Sequence, residues 1–177
     1  RPQADEAGNG ACMRNLPVVL ATLYCPADFE TWTLQQARLT HHNPLSDAAT
    51  LALGRMAGRL IKGEAVADCK PEIDKLIGRF REFAYQPYPG KASGYIVDTL
   101  QTVLHYFFTT GDFESCLIGT VNQGGDADTT GALAGMLAGA AYGWEQIPRR
   151  WLEQLEPAVA EQLRRQTLGL IEYAVDT

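Results

Sequence analysis

Long apolar runs, paired cysteines and an excess of basic charge are all missing from this sequence, and each absence removes a class of function. No run approaches the roughly 18 apolar residues that a membrane-spanning helix needs. The longest glycine–alanine–leucine tract is too short and too small-residued to span a bilayer. The four cysteines, Cys12, Cys25, Cys69 and Cys116, form no C-x-x-C pair. Their apolar or helical settings read as buried thiols of a cytoplasmic protein. Fifteen Lys and Arg against 21 Asp and Glu give a net charge of −6, which argues against a broad nucleic-acid surface. The chain does not open like a secretory signal. It also has no heptad run, no repeat of roughly 20–50 residues and no convincing period-two alternation.

What is present is one domain's worth of chain, 177 residues with 46% hydrophobic and 20% charged, a globular composition. Its organising stretch is Asn122-Gln123-Gly124-Gly125-Asp126-Ala127-Asp128-Thr129-Thr130. Two glycines free the backbone to turn. Two carboxylates and two hydroxyls follow within five residues, hard oxygen donors of the kind Mg²⁺, Mn²⁺ and Ca²⁺ prefer. An EF-hand is excluded, because its twelfth position would be Leu137 or Gly139 and not Glu. Asp126 or Asp128 could instead simply cap a helix. That helix would carry Gly131, Gly135, Gly139 and Gly143 along one stripe. Each glycine costs about 1 kcal/mol of helix propensity. The stripe therefore predicts a buried central helix that a neighbour approaches closely.

Taken in order, Ala7 to Arg14 is a tight turn, whose successive N–H groups could form an anion-binding concavity. Helical patterns follow: an apolar stretch from Leu16 to Tyr24, then Glu30 to His42 with Trp32, Ala37 and Leu39 inward. Ser46-Asp47 caps a helix to about Lys62, and Asp68 to Phe83 forms another. The breaker-rich loop from Tyr85 to Gly94 is a candidate functional loop. Tyr95 to Phe108 and Asp112 to Val121 lead into the acidic motif, and Glu145 to Leu155 and Pro157 to Val175 are outer helices. The expected fold is all-α, one domain over 1–177.

Gly8-Asn9-Gly10-Ala11-Cys12-Met13-Arg14, then His41, then Gly124-Gly125-Asp126-Ala127-Asp128-Thr129, in this order with helices between, resembles the ADP-ribosylglycohydrolase family. The runs from His41 to Asp47, Gly90 to Tyr95 and Asn122 to Gly143 point to its branch acting on the nitrogenase iron protein. The resemblance implies a single multi-helix orthogonal bundle and a binuclear Mn²⁺ or Mg²⁺ centre. The implied reaction is hydrolysis of the N-glycosidic bond between ADP-ribose and an arginine side chain of an acceptor protein. Carried over by position, Asp126, Asp128 and Thr129 are metal ligands, with Asp126 also catalytic. Gly8, Asn9 and Gly10 approach ribose and phosphates, His41 contacts substrate, Ser93 and Gly94 meet the diphosphate, and Tyr95 stacks on adenine. A PII-type signalling partner and reversible membrane association through a partner complete what the resemblance implies.

One departure is large. The family's N-terminal Gly-Asp motif and Thr-Asp-Asp-Thr cluster are not in this chain. Hard divalent ions take about six oxygen ligands each, more than Asp126, Asp128 and Thr129 supply. The expectation is a C-terminal portion that is inactive alone. Asp5 and Glu6 are kept as substrate-side candidates. The competing expectation is a module that binds ADP-ribose or a nucleotide without turnover.

Overall fold

A computed structural model describes residues 7–176. Asp5 and Glu6 lie outside the described residues. Among these residues the chain forms helices and turns, with no strand and a single isolated bridge between Gly8 and Tyr95. The all-α expectation is met. In order the helices are α1 (Gly10–Met13), α2 (Leu16–Ala21), α3 (Pro26–Ala37), α4 (Pro44–Ile61) and α5 (Lys70–Arg79). They continue with α6 (Ile96–Thr109), α7 (Phe113–Asn122), α8 (Ala127–Tyr142), α9 (Arg149–Leu152) and α10 (Pro157–Asp176). Prolines stand in the first turns of α2 to α5, where the missing N–H would have had no partner anyway. No helix among the described residues is long and apolar enough to cross a membrane.

α8 runs through the middle, packed on α4, α6 and α7. Leu133 and Leu137 share one buried cluster with Leu53 and Met56 of α4 and Leu100, Leu104 and Phe107 of α6, all fully buried or nearly so. Each such side chain contributes about 1.5–3 kcal/mol by leaving water. Several boundaries differ from the sequence expectation, each for a local reason. α3 stops at Ala37, leaving Leu39 80% exposed and not inward. Asn43, not Ser46-Asp47, caps α4, because its Oδ1 accepts from Leu45 N–H and Pro44 already supplies the first helical φ. Ser46 is drawn inside the first turn and donates to the Gly8 carbonyl at 2.9 Å. The expected 68–83 helix breaks at Phe80, which is extended between α5 and a short 3₁₀ turn. Pro148 likewise splits the 145–155 stretch into a 3₁₀ turn and the four-residue α9. Cys25 is half-exposed, its thiol donating to Asp28, while Cys12, Cys69 and Cys116 are buried.

The glycine stripe faces α7, which runs antiparallel. A Cβ on Gly131 would meet Val121 at 2.9 Å, one on Gly135 would meet Leu117 at 3.7 Å, and one on Gly139 would meet Phe113 at 3.9 Å. Close approach is therefore confined to Gly131. Gly143 has φ +83° and ends the helix instead of packing. Because position 135 has ordinary room, Gly135→Ala is expected to stabilise by about 1 kcal/mol through helix propensity. A urea melt showing loss of stability would contradict this packing of α7 on α8.

Candidate functional site

At the start of α8, Gly124 and Gly125 take φ +76° and +63° in succession, turning the chain sharply out of α7. Asp126 stands at the N-cap position, but its carboxylate accepts no bond from the α8 backbone. Its Oδ2 instead accepts from Asn9 Nδ2 at 2.5 Å, 117 residues away in sequence. The capping alternative is thus not what the Asp126 side chain adopts. Two residues on, Asp128 is exposed and its Oδ1 accepts from Thr129 N–H at 2.8 Å. A hydrogen bond with the Asp126 carboxyl, then the Thr129 N–H, hold the Asp128 carboxyl below the usual carboxylate range. The Thr129 hydroxyl lies 3.8 Å from the thioether of Met13.

Against this corner lies a strap, residues 90–94, whose carbonyls are all taken by the protein. Gln123 Nε2 donates to Gly90 O at 3.0 Å, Thr102 Oγ1 to Lys91 O at 2.7 Å and Asp126 N–H to Ala92 O at 2.7 Å. Thr99 Oγ1 donates to Ser93 O at 2.9 Å, and Asn9 N–H to Gly94 O at 3.1 Å. Five successive peptide units are thereby fixed by partners from α6, the turn between α7 and α8, and the first turn. No N–H of Lys91, Ser93 or Gly94 has a protein acceptor among the described residues, and all three residues are exposed. The Ser93 hydroxyl donates to Asp98 at 2.7 Å and accepts from Tyr95 N–H at 3.2 Å, closing the turn into α6. Tyr95 stands at the N-cap of α6 with 38% of its surface exposed.

The first turn joins the same rim. The imidazole of His41 lies over it: a Cβ on Gly8 would sit 2.9 Å from His41 Nε2, and one on Gly10 would sit 3.0 Å from Cε1. His41 Nδ1 shares a 2.7 Å hydrogen bond with the Thr40 hydroxyl, which accepts from Arg14 at 2.6 Å. Partial burial, then the Arg14 charge, push the imidazole below its ordinary value, so the ring is neutral at pH 7. By contrast, burial drives the nearby Cys12 thiol up to about 12, which leaves it inert as a nucleophile.

The structure therefore brings Asn9, Gly94, Tyr95 and Asp126 together, with Asp128 and Thr129 on the same α8 turn and His41 on the first turn. Both hydrogens of the Asn9 carboxamide are already engaged, one with Asp126 and one with Thr99 at 2.8 Å. In kind, the Asp126 and Asp128 carboxylates and the Thr129 hydroxyl fit a hard divalent cation. In number they fall short of two, because no cluster of three His, Cys, Asp or Glu occurs among the described residues. Sequence reasoning missed Thr99, Thr102 and Gln123, which pin the strap. The available signal was a pair of hydroxyls three residues apart in the apolar α6, since buried polar groups must find partners.

The profile of the ADP-ribosylglycohydrolase family matches residues 1–176. An ADP-ribosyl-[dinitrogen reductase] glycohydrolase of Rhodospirillum rubrum is 59% identical over 96% of this chain and 58% of its own length. An ADP-ribosylarginine hydrolase of Serratia proteamaculans is 30% identical over 86% of the chain and 44% of its own. Among solved structures, a chain of an ADP-ribosylglycohydrolase-related protein complex superposes with a TM-score of 0.88 at 32% identity, covering 97% of this chain and 62% of that one. The chain thus spans about half the length of these curated relatives.

Proposed function

The chain belongs to the ADP-ribosylglycohydrolase family, and on that premise we propose that its rim of Asn9, Ser93, Gly94, Tyr95, Asp126 and Asp128 serves hydrolysis of ADP-ribosyl-arginine on an acceptor protein. The observation that carries this reading is the joining of an acidic turn to a strap with spare N–H groups. Asp126 and the strap share the Asp126 N–H to Ala92 O bond and the Asn9 bridge. The acceptor we propose is the ADP-ribosylated nitrogenase iron protein, the dinitrogen reductase in the name of the Rhodospirillum rubrum relative.

In this mechanism the exposed N–H groups of Ser93 and Gly94 receive the diphosphate, which needs backbone donors more than lysines. That agrees with the acidic net charge. The Tyr95 ring offers a stacking face for adenine. The neutral His41 ring and the glycine turn beneath it line the ribose side. Water adds at the anomeric carbon, the bond to the guanidine nitrogen breaks, and the departing arginine keeps the electron pair and takes up a proton. Positive charge develops at the anomeric carbon during departure, and Asp126 offsets it. Asp126, Asp128 and Thr129 would hold part of the ligand shell of two Mn²⁺ or Mg²⁺ ions. Such ions, when bound, supply charge against the ribose hydroxyls and make a water more acidic.

The test measures ADP-ribose binding with Mn²⁺ present and release of ADP-ribose from an arginine-modified protein. Tyr95→Ala is expected to weaken ADP-ribose binding by roughly 1–3 kcal/mol, the range for stacking of one base on an aromatic ring. Its Mn²⁺ affinity should stay unchanged. Binding without release, even in the presence of the relatives' additional length, would establish the module that binds without turnover. Failure of ADP-ribose to bind at all would sink both.

A further inference from the structure

The Asn9 carboxamide can face Asp126 with either its NH₂ or its oxygen, and the surrounding bonds decide which. Ser93 O can only accept, so the Thr99 hydroxyl must spend its hydrogen there, at 2.9 Å. The Thr99 oxygen is then left as an acceptor, and Asn9 must present its NH₂ to it, at 2.8 Å. That same nitrogen lies 2.5 Å from Asp126 Oδ2. A flipped amide would set oxygen against both Thr99 and the carboxylate. The donor direction therefore runs from Asn9 to Asp126 on one side, and from Asn9 through Thr99 to the strap on the other. Thr99 is wholly buried on α6, behind the rim residues Asn9 and Ser93 that it bonds, so it touches no substrate.

We propose that Thr99 is a positioning residue, which fixes the Asn9 amide and through it ties the Asp126 carboxylate to the Ser93–Gly94 strap. Its part in the reaction rests on the hydrolase reading given above, but the coupling itself does not. With valine at 99 the shape is kept and both bonds go. The amide is then free to rotate about its broad, two-fold terminal torsion. The carboxylate loses its fixed donor, and the Ser93 carbonyl loses its anchor.

The decisive measurement is hydrogen exchange of the Asn9 side-chain amide by nitrogen-15 NMR at fixed pH in the full 177-residue chain. Thr99→Val should accelerate it about tenfold, the equivalent of one lost hydrogen bond, and Thr99→Ser should keep it within about twofold of the parent. Thr50→Val supplies the control. Thr50 is also wholly buried, and its hydroxyl donates to the Ser46 carbonyl in its own helix. It should lower the melting temperature while leaving Asn9 exchange unchanged. Unchanged Asn9 exchange in Thr99→Val, or equal acceleration in Thr50→Val, overturns the proposal. If Thr99→Val does not fold, the parent decides: an Asn9 amide exchanging as fast as a surface asparagine overturns it equally. A parallel ADP-ribose titration separates the two ideas. Failure of ADP-ribose to bind the parent would count against the hydrolase reading, while the Asn9 exchange still tests the positioning role.

Discussion

Gly125→Ala is expected to be among the most damaging single-atom additions to this protein, destabilising it by roughly 3–5 kcal/mol and freeing the strap. Two causes add. At φ +63° an L side chain costs about 1–2 kcal/mol. The new Cβ would also lie far inside van der Waals contact distance of the Ala92 carbonyl oxygen, so the two backbones must part. Parting breaks the 2.7 Å bond from Asp126 N–H to that oxygen and leaves both groups wanting a partner, at about 1–3 kcal/mol apiece if they stay dry. Gly124→Ala is the control. It stands at φ +76° with nothing within 4 Å of the added carbon, so it should lose only the conformational part, about 1–2 kcal/mol. Urea melts of the two variants check this, with amide exchange read at Asp126 and Asn9, whose N–H groups hold the Ala92 and Gly94 carbonyls. Equal losses in both would mean that the strap does not depend on contact with Gly125.

The second large effect concerns the carboxylates. Removing partners that merely orient a metal ligand typically lowers metal affinity about 10–100-fold, so losing a ligand should lower it further. Asp128→Asn is expected to weaken Mn²⁺ binding by at least about 100-fold while leaving the helical circular dichroism intact. The fold should survive because Asp128 is exposed and its carboxylate accepts from the Thr129 N–H of its own turn. Asp126→Asn should lose comparable affinity and also loosen the first turn, because Asn9 would face a neutral amide in place of a carboxylate. With the relatives' additional length present, release of ADP-ribose should fall on the order of 10²–10⁴-fold in Asp126→Asn, the range for losing a positioned catalytic group. Unchanged Mn²⁺ affinity in Asp128→Asn would remove that residue from the ligand set. A collapse of its helical signal would instead assign Asp128 a purely structural part.

The fold was largely written in local pattern. Apolar residues at three- and four-residue spacing and prolines in first turns are properties of short windows, and they give helices almost independently of partners. Where the sequence misled, tertiary competition was the cause. Ser46 looked like a cap but its hydroxyl found the Gly8 carbonyl, and Asn43 took the helix end. The four-glycine stripe promised uniform close packing, yet only Val121 presses against it, while Leu117 and Phe113 keep ordinary contact distance.

The acidic turn was legible for a similar reason: two glycines, two carboxylates and a following helix lie within one short window, and hard-cation chemistry reads residue types directly. What the carboxylates do with their lone pairs was not legible. Asp126 could have capped α8, and only the fold brings Asn9 to its Oδ2 across 117 residues. The same holds for the strap, whose five carbonyls are satisfied by residues from three separate stretches, the first turn, α6 and the turn before α8. Sequence by itself determined the helices, their rough order and the chemistry of the acidic turn, because those depend on neighbours within about one helical turn. Tertiary structure alone decided which hydrogen bonds those groups make, because a backbone carbonyl carries no residue identity and its donor is set by whichever segment packing brings within reach.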